Sequence, residues 1–272
     1  SFFEVQPEIH SPANPLPFPK PIREGFVFED VGFIYPGAER WAVRHLSFTL
    51  KAGEVVALVG ENGAGKTTLV KLLTRLYDPD EGRILLDGRD LRDYGLDELR
   101  GSMGVIFQDF VRYNLPAGDN IAVARIEARS DRQRIARAAN PSQADEVIGR
   151  LPHGYDKMIG KRFKNGVELS GGEWQKIAIA RAYMREAEVL ILDEPTAALD
   201  ARAEFEVFQR FKELSKGKTA VLISHRFSSV RMADRILVLA EGRVEAQGTH
   251  EQLLAQQGRY AELFELQAAG YR

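Results

Sequence analysis

The chain has 272 residues, enough for one large domain or two small ones, and its 44% hydrophobic and 28% charged content is ordinary for a globular protein. A net charge of −2 argues against a broad nucleic-acid footprint, and the lack of cysteine removes disulfides, thiolate metal sites and cysteine nucleophiles. No apolar run of about 18 residues is present to cross a bilayer, and Ser1-Phe2-Phe3-Glu4 is no signal peptide; a first residue of serine reads as the start of an excised or processed fragment.

Six prolines (Pro7, Pro12, Pro15, Pro17, Pro19, Pro21) and few aliphatics predict an extended linker over 1–24 that packs no core. From Gly25, residues Phe26, Phe28, Val31, Phe33 and Tyr35 nearly alternate with polar ones, predicting strand until Pro36-Gly37 turns the chain. A second strand is expected near Leu46–Leu50, and Val55–Val59 is apolar throughout, as a strand buried on both faces should be. Next come a helix over Lys66–Leu76 and strands over Arg83–Leu86 and Met103–Phe107. Residues 109–168 differ: Ile121–Ala138 and Ala144–Leu151 predict helices with no buried strand between them, a helical insertion. Its charge run, Arg125–Arg137, reads as a solvated helix face rather than a nucleic-acid arm. Helix Gly172–Arg185, strand Val189–Leu192, helix Ala201–Leu214 and strand Thr219–Ile223 follow, then a hairpin, Ile236–Leu239 with Arg243–Ala246, turned at Glu241-Gly242. The closing apolar residues, from Leu253 to Leu266, have helical spacing and are expected to pack on the core. The fold class is α/β: a mixed or parallel sheet core with antiparallel strands clustered at the two ends of that parallel core and a helical insertion.

Two motifs carry chemistry. Gly60-Glu61-Asn62-Gly63-Ala64-Gly65-Lys66-Thr67, continued by Thr68, fits G-x-x-x-x-G-K-[ST] between a buried strand and a helix. Its glycines let backbone N–H groups turn toward phosphate oxygens, and the helix start adds positive potential. Lys66 would reach the β- and γ-phosphates and Thr67 would offer its hydroxyl to Mg²⁺. The plainer reading is a glycine-rich turn with an incidental lysine. Asp193, at the tip of Val189–Leu192, would orient the metal, and Glu194 would polarise the attacking water. The plainer reading there is a strand exit with solvated charges.

Leu169-Ser170-Gly171-Gly172-Glu173 precedes a helix and, alone, is a serine cap with a glycine turn. Followed by Asp193-Glu194, it resembles the nucleotide-binding domains of ABC transporters over roughly 25–266. That resemblance implies a P-loop ATPase core over 25–108 and 169–248 with an antiparallel subdomain, a helical subdomain over 109–168 tied to the signature, and C-terminal helices over 249–268. It also implies ATP and Mg²⁺ as cofactors. Tyr35 matches the adenine-stacking aromatic; the plainer reading is a core aromatic at a strand end. Gln108 matches the glutamine that senses the γ-phosphate and metal, Asp200 the D-loop residue that meets the opposite subunit, and His225 the switch histidine. Ser170, Gly171, Gly172 and Glu173 would complete the nucleotide pocket of a second copy, so that two ATPase domains meet head to tail around two ATP molecules.

The stretch from Tyr77 to Asp109 resembles exporter-type domains, in which the ATPase follows a membrane domain, and the proline-rich start fits the connecting linker. The implied partners are a second ATPase domain, identical or paralogous, and the exporter's transmembrane domain, with no nucleic acid. The implied place is the cytoplasmic face of a bacterial inner membrane. Where exporters often carry T-E-V-G-E-x-G, this chain reads Lys157-Met158-Ile159-Gly160-Lys161-Arg162-Phe163, without the glutamate. Glu173 and Lys176 stand where glutamine and arginine are commoner. Competing readings are an importer's ATPase subunit, a soluble ABC protein acting on DNA or ribosomes, and a regulator that no longer hydrolyses ATP; Lys66, Glu194 and His225 speak against the last.

Overall fold

The computed structural model describes residues 9–106, 110–162, 165–193, 209–224 and 226–270. Two sheets organise them. An antiparallel sheet runs in the order β2 (Val43–Lys51), β1 (Gly25–Phe33), β4 (Glu81–Leu86), β5 (Arg89–Asp90). The larger sheet runs β10 (Arg243–Gly248), β9 (Arg235–Ala240), β3 (Val55–Val59), β8 (Thr219–Ile223), β7 (Val189–Asp193), β6 (Met103–Ile106). All its neighbours pair in parallel except β9 with β10. The fold is therefore mixed α/β.

The sequence explains the partition. β3, β7 and β8 are almost wholly aliphatic because helices or sheet cover both their faces. β1 alternates, and its inward Phe28 stacks on Phe48 of β2 with ring centroids 4.4 Å apart. The β9–β10 turn needs two left-handed residues in succession, which Glu241 (φ 48°) and Gly242 (φ 74°) supply. Antiparallel structure is not confined to the two ends of the parallel core, however. β4 and β5, in the middle of the sequence, extend the β1–β2 sheet rather than the parallel one.

Other expectations need correcting. Helix α1 (Lys66–Leu73) stops before Leu76: the Thr74 hydroxyl donates to Val70 O, and Arg75 takes φ 51°. The single helix expected over Ile121–Ala138 is broken. Helix α3 (Ala117–Ala122) ends early, a 3₁₀ turn spans Ile126–Ala128, and α4 (Arg132–Ala139) restarts because the Asp131 carboxylate accepts Arg134 N–H. Helix α2 (Leu96–Gly101) was not expected at all. The described part of the expected linker, residues 9–24, does pack. Phe18 is buried in the main core, Leu16 N–H donates to Asp93 O, and Leu96 N–H donates to Ser11 Oγ. Phe107 and most of the helix expected over Ala201–Leu214 lie outside the described residues, although 209–214 are helical.

Helix α5 (Ala144–Gly149) joins α3 and α4 against α6 (Gly171–Arg185). Trp174, Ile177, Ala180 and Met184 of α6 recur at helical spacing and form the centre of this helical core. Ile179 and Ala182, on the other side of α6, enter the core beside β6, β7 and β8. One helix thus belongs to both bodies. Four of the five arginines of the 125–137 run pair with carboxylates: Arg125 and the half-buried Arg134 with Glu186, Arg129 with Asp119, Arg132 with Asp156.

Candidate functional site

β3 delivers the chain into the glycine loop and α1 carries it away. Gly63 (φ 83°) and Gly65 (φ 102°) hold left-handed backbone there. The loop is clamped from behind. A Cβ on Gly60 would lie 2.3 Å from Leu239 O, one on Gly65 would lie 2.7 Å from Val43 Cγ1, and Gly242 N–H donates to Ala64 O at 3.2 Å. The β9–β10 turn is therefore part of the site's mould. The sequence signals that turn but not what it touches. At its open side Gly63 would meet nothing within 4 Å.

Lys66 is buried, and its ammonium donates to Gly60 O (2.8 Å) and Glu61 O (2.9 Å), which bends the charge back across the loop. No side chain caps α1 at Gly65, and the positive end of the helix suits an anion there. A cleft of about 280 Å³ opens here, lined among others by Tyr35, Ala42, Asn62, Gly63, Lys66 and Thr67. That is near the lower limit for a small-molecule site. Thr67 is exposed to it, and buried Thr68 meets the Tyr35 hydroxyl at 3.1 Å. Tyr35 also packs edge-on against Phe33 and Tyr77, with Lys71 Nζ 4.9 Å from its ring centroid. It is a core-edge aromatic and a wall of the cleft at once. Glu61 lies off that wall, where Oε1 accepts from Arg259 at 3.0 Å.

The parallel register sets the remaining positions. Leu58 of β3, Ile223 of β8 and Asp193 of β7 form one row across the sheet. Neighbouring strands lie about 4.8 Å apart, so the Asp193 backbone stands about 10 Å from that of Leu58, at the edge where the glycine loop leaves. Gln108, Glu194, Asp200 and His225 lie outside the described residues; the strands that lead toward three of them end at Ile106, Asp193 and Ile223.

The signature residues form a second helix start. Ser170 caps α6: its hydroxyl accepts Glu173 N–H (3.3 Å), while its own N–H and hydroxyl both donate to Glu173 Oε2 (2.9 Å each). Gly171 and Gly172 would meet nothing within 4 Å if given a Cβ. None of residues 169–173 lines the cleft at the glycine loop. Further along α6, Arg181 donates to Val111 O (2.7 Å), Asn120 O (2.7 Å) and Asn120 Oδ1 (2.9 Å). Burial pulls its guanidinium down to about 10, still protonated at neutral pH. It ties α6 to the segment that begins just past Gln108, a bridge that no motif signals. A second cavity, about 380 Å³ and mostly apolar, opens beside it between Leu76, Met103, Val105, Phe110 and Val111.

Residues 43–197 match the family model described as ABC transporter. An ATP-dependent lipid A-core flippase of Salmonella typhimurium is 45% identical over 240 residues, which is 88% of this chain and 40% of the relative. The flippase of the same name from Alkalilimnicola ehrlichii is 43% identical over 273 residues, 99% of this chain and 45% of that protein. A solved structure of a bacterial Atm1-family ABC exporter with ATP bound superposes with a TM-score of 0.89 at 38% identity, over 98% of this chain and 46% of that one. The chain thus spans less than half the length of these relatives.

Proposed function

The chain belongs to the ABC transporter family and carries its exporter-type ATPase domain; from that premise we propose that it hydrolyses ATP between two head-to-tail copies to drive export by a membrane domain. The observation that carries the pairing is the separation of the two helix starts. The cleft at Lys66 is small and open, and residues 169–173 do not line it. The side-chain-free surfaces at Gly63 and at Gly171-Gly172 would let two backbones close on one nucleotide.

In this reading the loop from Gly60 to Gly65 and the first turn of α1 hold the phosphates, with Lys66 on the β- and γ-groups and Tyr35 beside the base. The oxygen donors Thr67 and Asp193 suit a hard cation, and Gln108 would join them; Mg²⁺ there would neutralise phosphate charge. Glu194 orients and deprotonates the attacking water, His225 steadies the γ-phosphate, and Asp200 meets the opposite copy. Ser170, Gly171 and Gly172 supply donors from the partner copy.

The apolar cavity beside Arg181 suits a helix of the membrane domain. Its rim exposes Leu76, Val111 and Tyr113, and α6 links it to the signature. Among the described residues no helix is long and apolar enough to cross a membrane, so that domain would be a separate segment or chain. The domain would sit on the cytoplasmic face of the inner membrane. The deciding experiment is Glu194→Gln with ATP and magnesium: a stable dimer by size exclusion is expected. Hydrolysis at the unsubstituted rate would remove Glu194 as the base, and a persistent monomer would remove the pairing.

A further inference from the structure

The start of α6 is already occupied. Glu173 Oε2 takes both donors of Ser170, its N–H and its hydroxyl, at 2.9 Å each. A phosphate from a partner copy would therefore find Ser170 satisfied by an internal anion, and would face that anion's negative charge. The other carboxylate oxygen, Oε1, lies 3.3 Å from Arg150 Nη2. Arg150 is well exposed and stands at the end of α5, on the helical core rather than on the sheet.

We propose that Glu173 is a positioning residue that regulates closure of the nucleotide-bridged dimer. With no nucleotide from a partner, its carboxylate holds Ser170 in a self-capped state. On closure Ser170 turns its hydroxyl to phosphate and Glu173 shifts toward Arg150, which offsets part of the displaced charge. Closure then carries an electrostatic cost at each of two sites, set by Glu173 and relieved by Arg150. This rests on the reading that Ser170 meets the partner's nucleotide.

The test runs in the Glu194→Gln background, with ATP and magnesium, and reads the ATP concentration at half-maximal dimer by analytical ultracentrifugation. Glu173→Gln keeps the capping box, because a glutamine side chain also closes it, but removes the charge. It is expected to lower the half-maximal ATP about two- to fivefold, the scale of one anion at a helix N-terminus. Arg150→Ala is expected to raise it about twofold or more, and to have no effect once Glu173 is Gln. Added salt should narrow the gap between Glu173 and Gln. A shift below twofold for Glu173→Gln, or a shift upward, with a normal dimer in the background variant, overturns the inference and leaves the pairing intact. If Glu194→Gln alone forms no dimer, the pairing fails first and this inference with it. A smaller loss of melting temperature in Glu173→Gln than in Glu173→Ala separates the effect from loss of the cap.

Discussion

The two glycine-bearing helix starts of this chain solve the same local problem in opposite ways. At α1 no side chain caps the first turn, and the glycine loop is moulded from outside by Val43, Leu239 and Gly242. At α6 Ser170 caps the first turn by accepting Glu173 N–H, the Glu173 carboxylate takes both donors of Ser170 in return, and nothing crowds the glycines between them. Exposed first-turn N–H groups destabilise a helix unless something satisfies them. α1 holds without a side-chain cap because its residues sit in the main core. α6 starts on a smaller helical core, and its Ser170 satisfies the Glu173 N–H of the first turn while Glu173 satisfies Ser170. A preformed site and a self-satisfied one on the same chain imply different behaviour: one binds first, the other must rearrange.

The largest effects break the first half of that contrast. Lys66→Ala is expected to weaken ATP binding at least about a hundredfold, because it removes a buried cation from beneath the phosphates. Gly60→Ala should do as much without touching charge, since the new Cβ would lie 2.3 Å from Leu239 O and force the loop from its mould. Isothermal titration with ATP measures both. Unchanged affinity in Gly60→Ala would mean that the β9–β10 turn does not shape the site.

Trp174 tests the second half. It is 1% exposed at the centre of the helical core, just inside the first turn of α6. Trp174→Ala should cost about 3–5 kcal/mol, read by denaturant unfolding. If the helical core is the less robust body, hydrogen exchange in α3 to α5 should rise more than in β3 or β8. Arg181→Met comes next, at about 2 kcal/mol, because it strips donors from two buried acceptors. Arg181→Lys should recover only part, since one ammonium cannot reproduce the fork that spans Val111 and Asn120.

Much of this architecture was legible in the residues. β3 and β8 could be bounded from sequence because strands covered on both faces are aliphatic from end to end. The cradle motif was legible because phosphate binding requires glycine at fixed spacing before a helix. What sequence hid were contacts between segments far apart in the chain. Glu241-Gly242 announces a hairpin turn, yet nothing in it says that Gly242 supports Ala64. Asp131 is a good cap, but inside a run of helix formers it was overridden by periodicity, and one long helix was expected where the chain breaks. The proline-rich start was read by composition alone, which discounts a single aromatic. Phe18 is that aromatic, and it is 6% exposed. Phe18→Ala should release residues 9–24 to proteolysis at a cost of about 2 kcal/mol. If the cleavage pattern does not change, the strap is held by its backbone bonds and Phe18 is incidental.

The smallest effect concerns how the mould of the glycine loop is itself held. Arg259 of the closing helix Arg259–Gly270 reaches Glu61, and the same helix is seated by Tyr260, whose hydroxyl lies 2.8 Å from His250 Nδ1. Burial, helped by the charge of Arg231 and opposed by Glu251, keeps His250 below its ordinary range. The Tyr260 hydroxyl can donate to Nδ1 only while that nitrogen carries no proton. The sign follows: above the unfolded histidine's value both states are neutral and nothing is gained. Below it the unfolded chain takes a proton that the folded chain resists, so stability falls as pH falls through about 6.5. The site is largely solvated, so the loss between neutral pH and pH 5.5 should stay under about 1 kcal/mol. His250→Asn should flatten that part of the pH profile in paired denaturant titrations. If ATP affinity in the variant then keeps its unsubstituted value across the same range, the loop takes its shape from the sheet edge alone, and the Arg259–Glu61 contact is a surface ion pair of no consequence to binding.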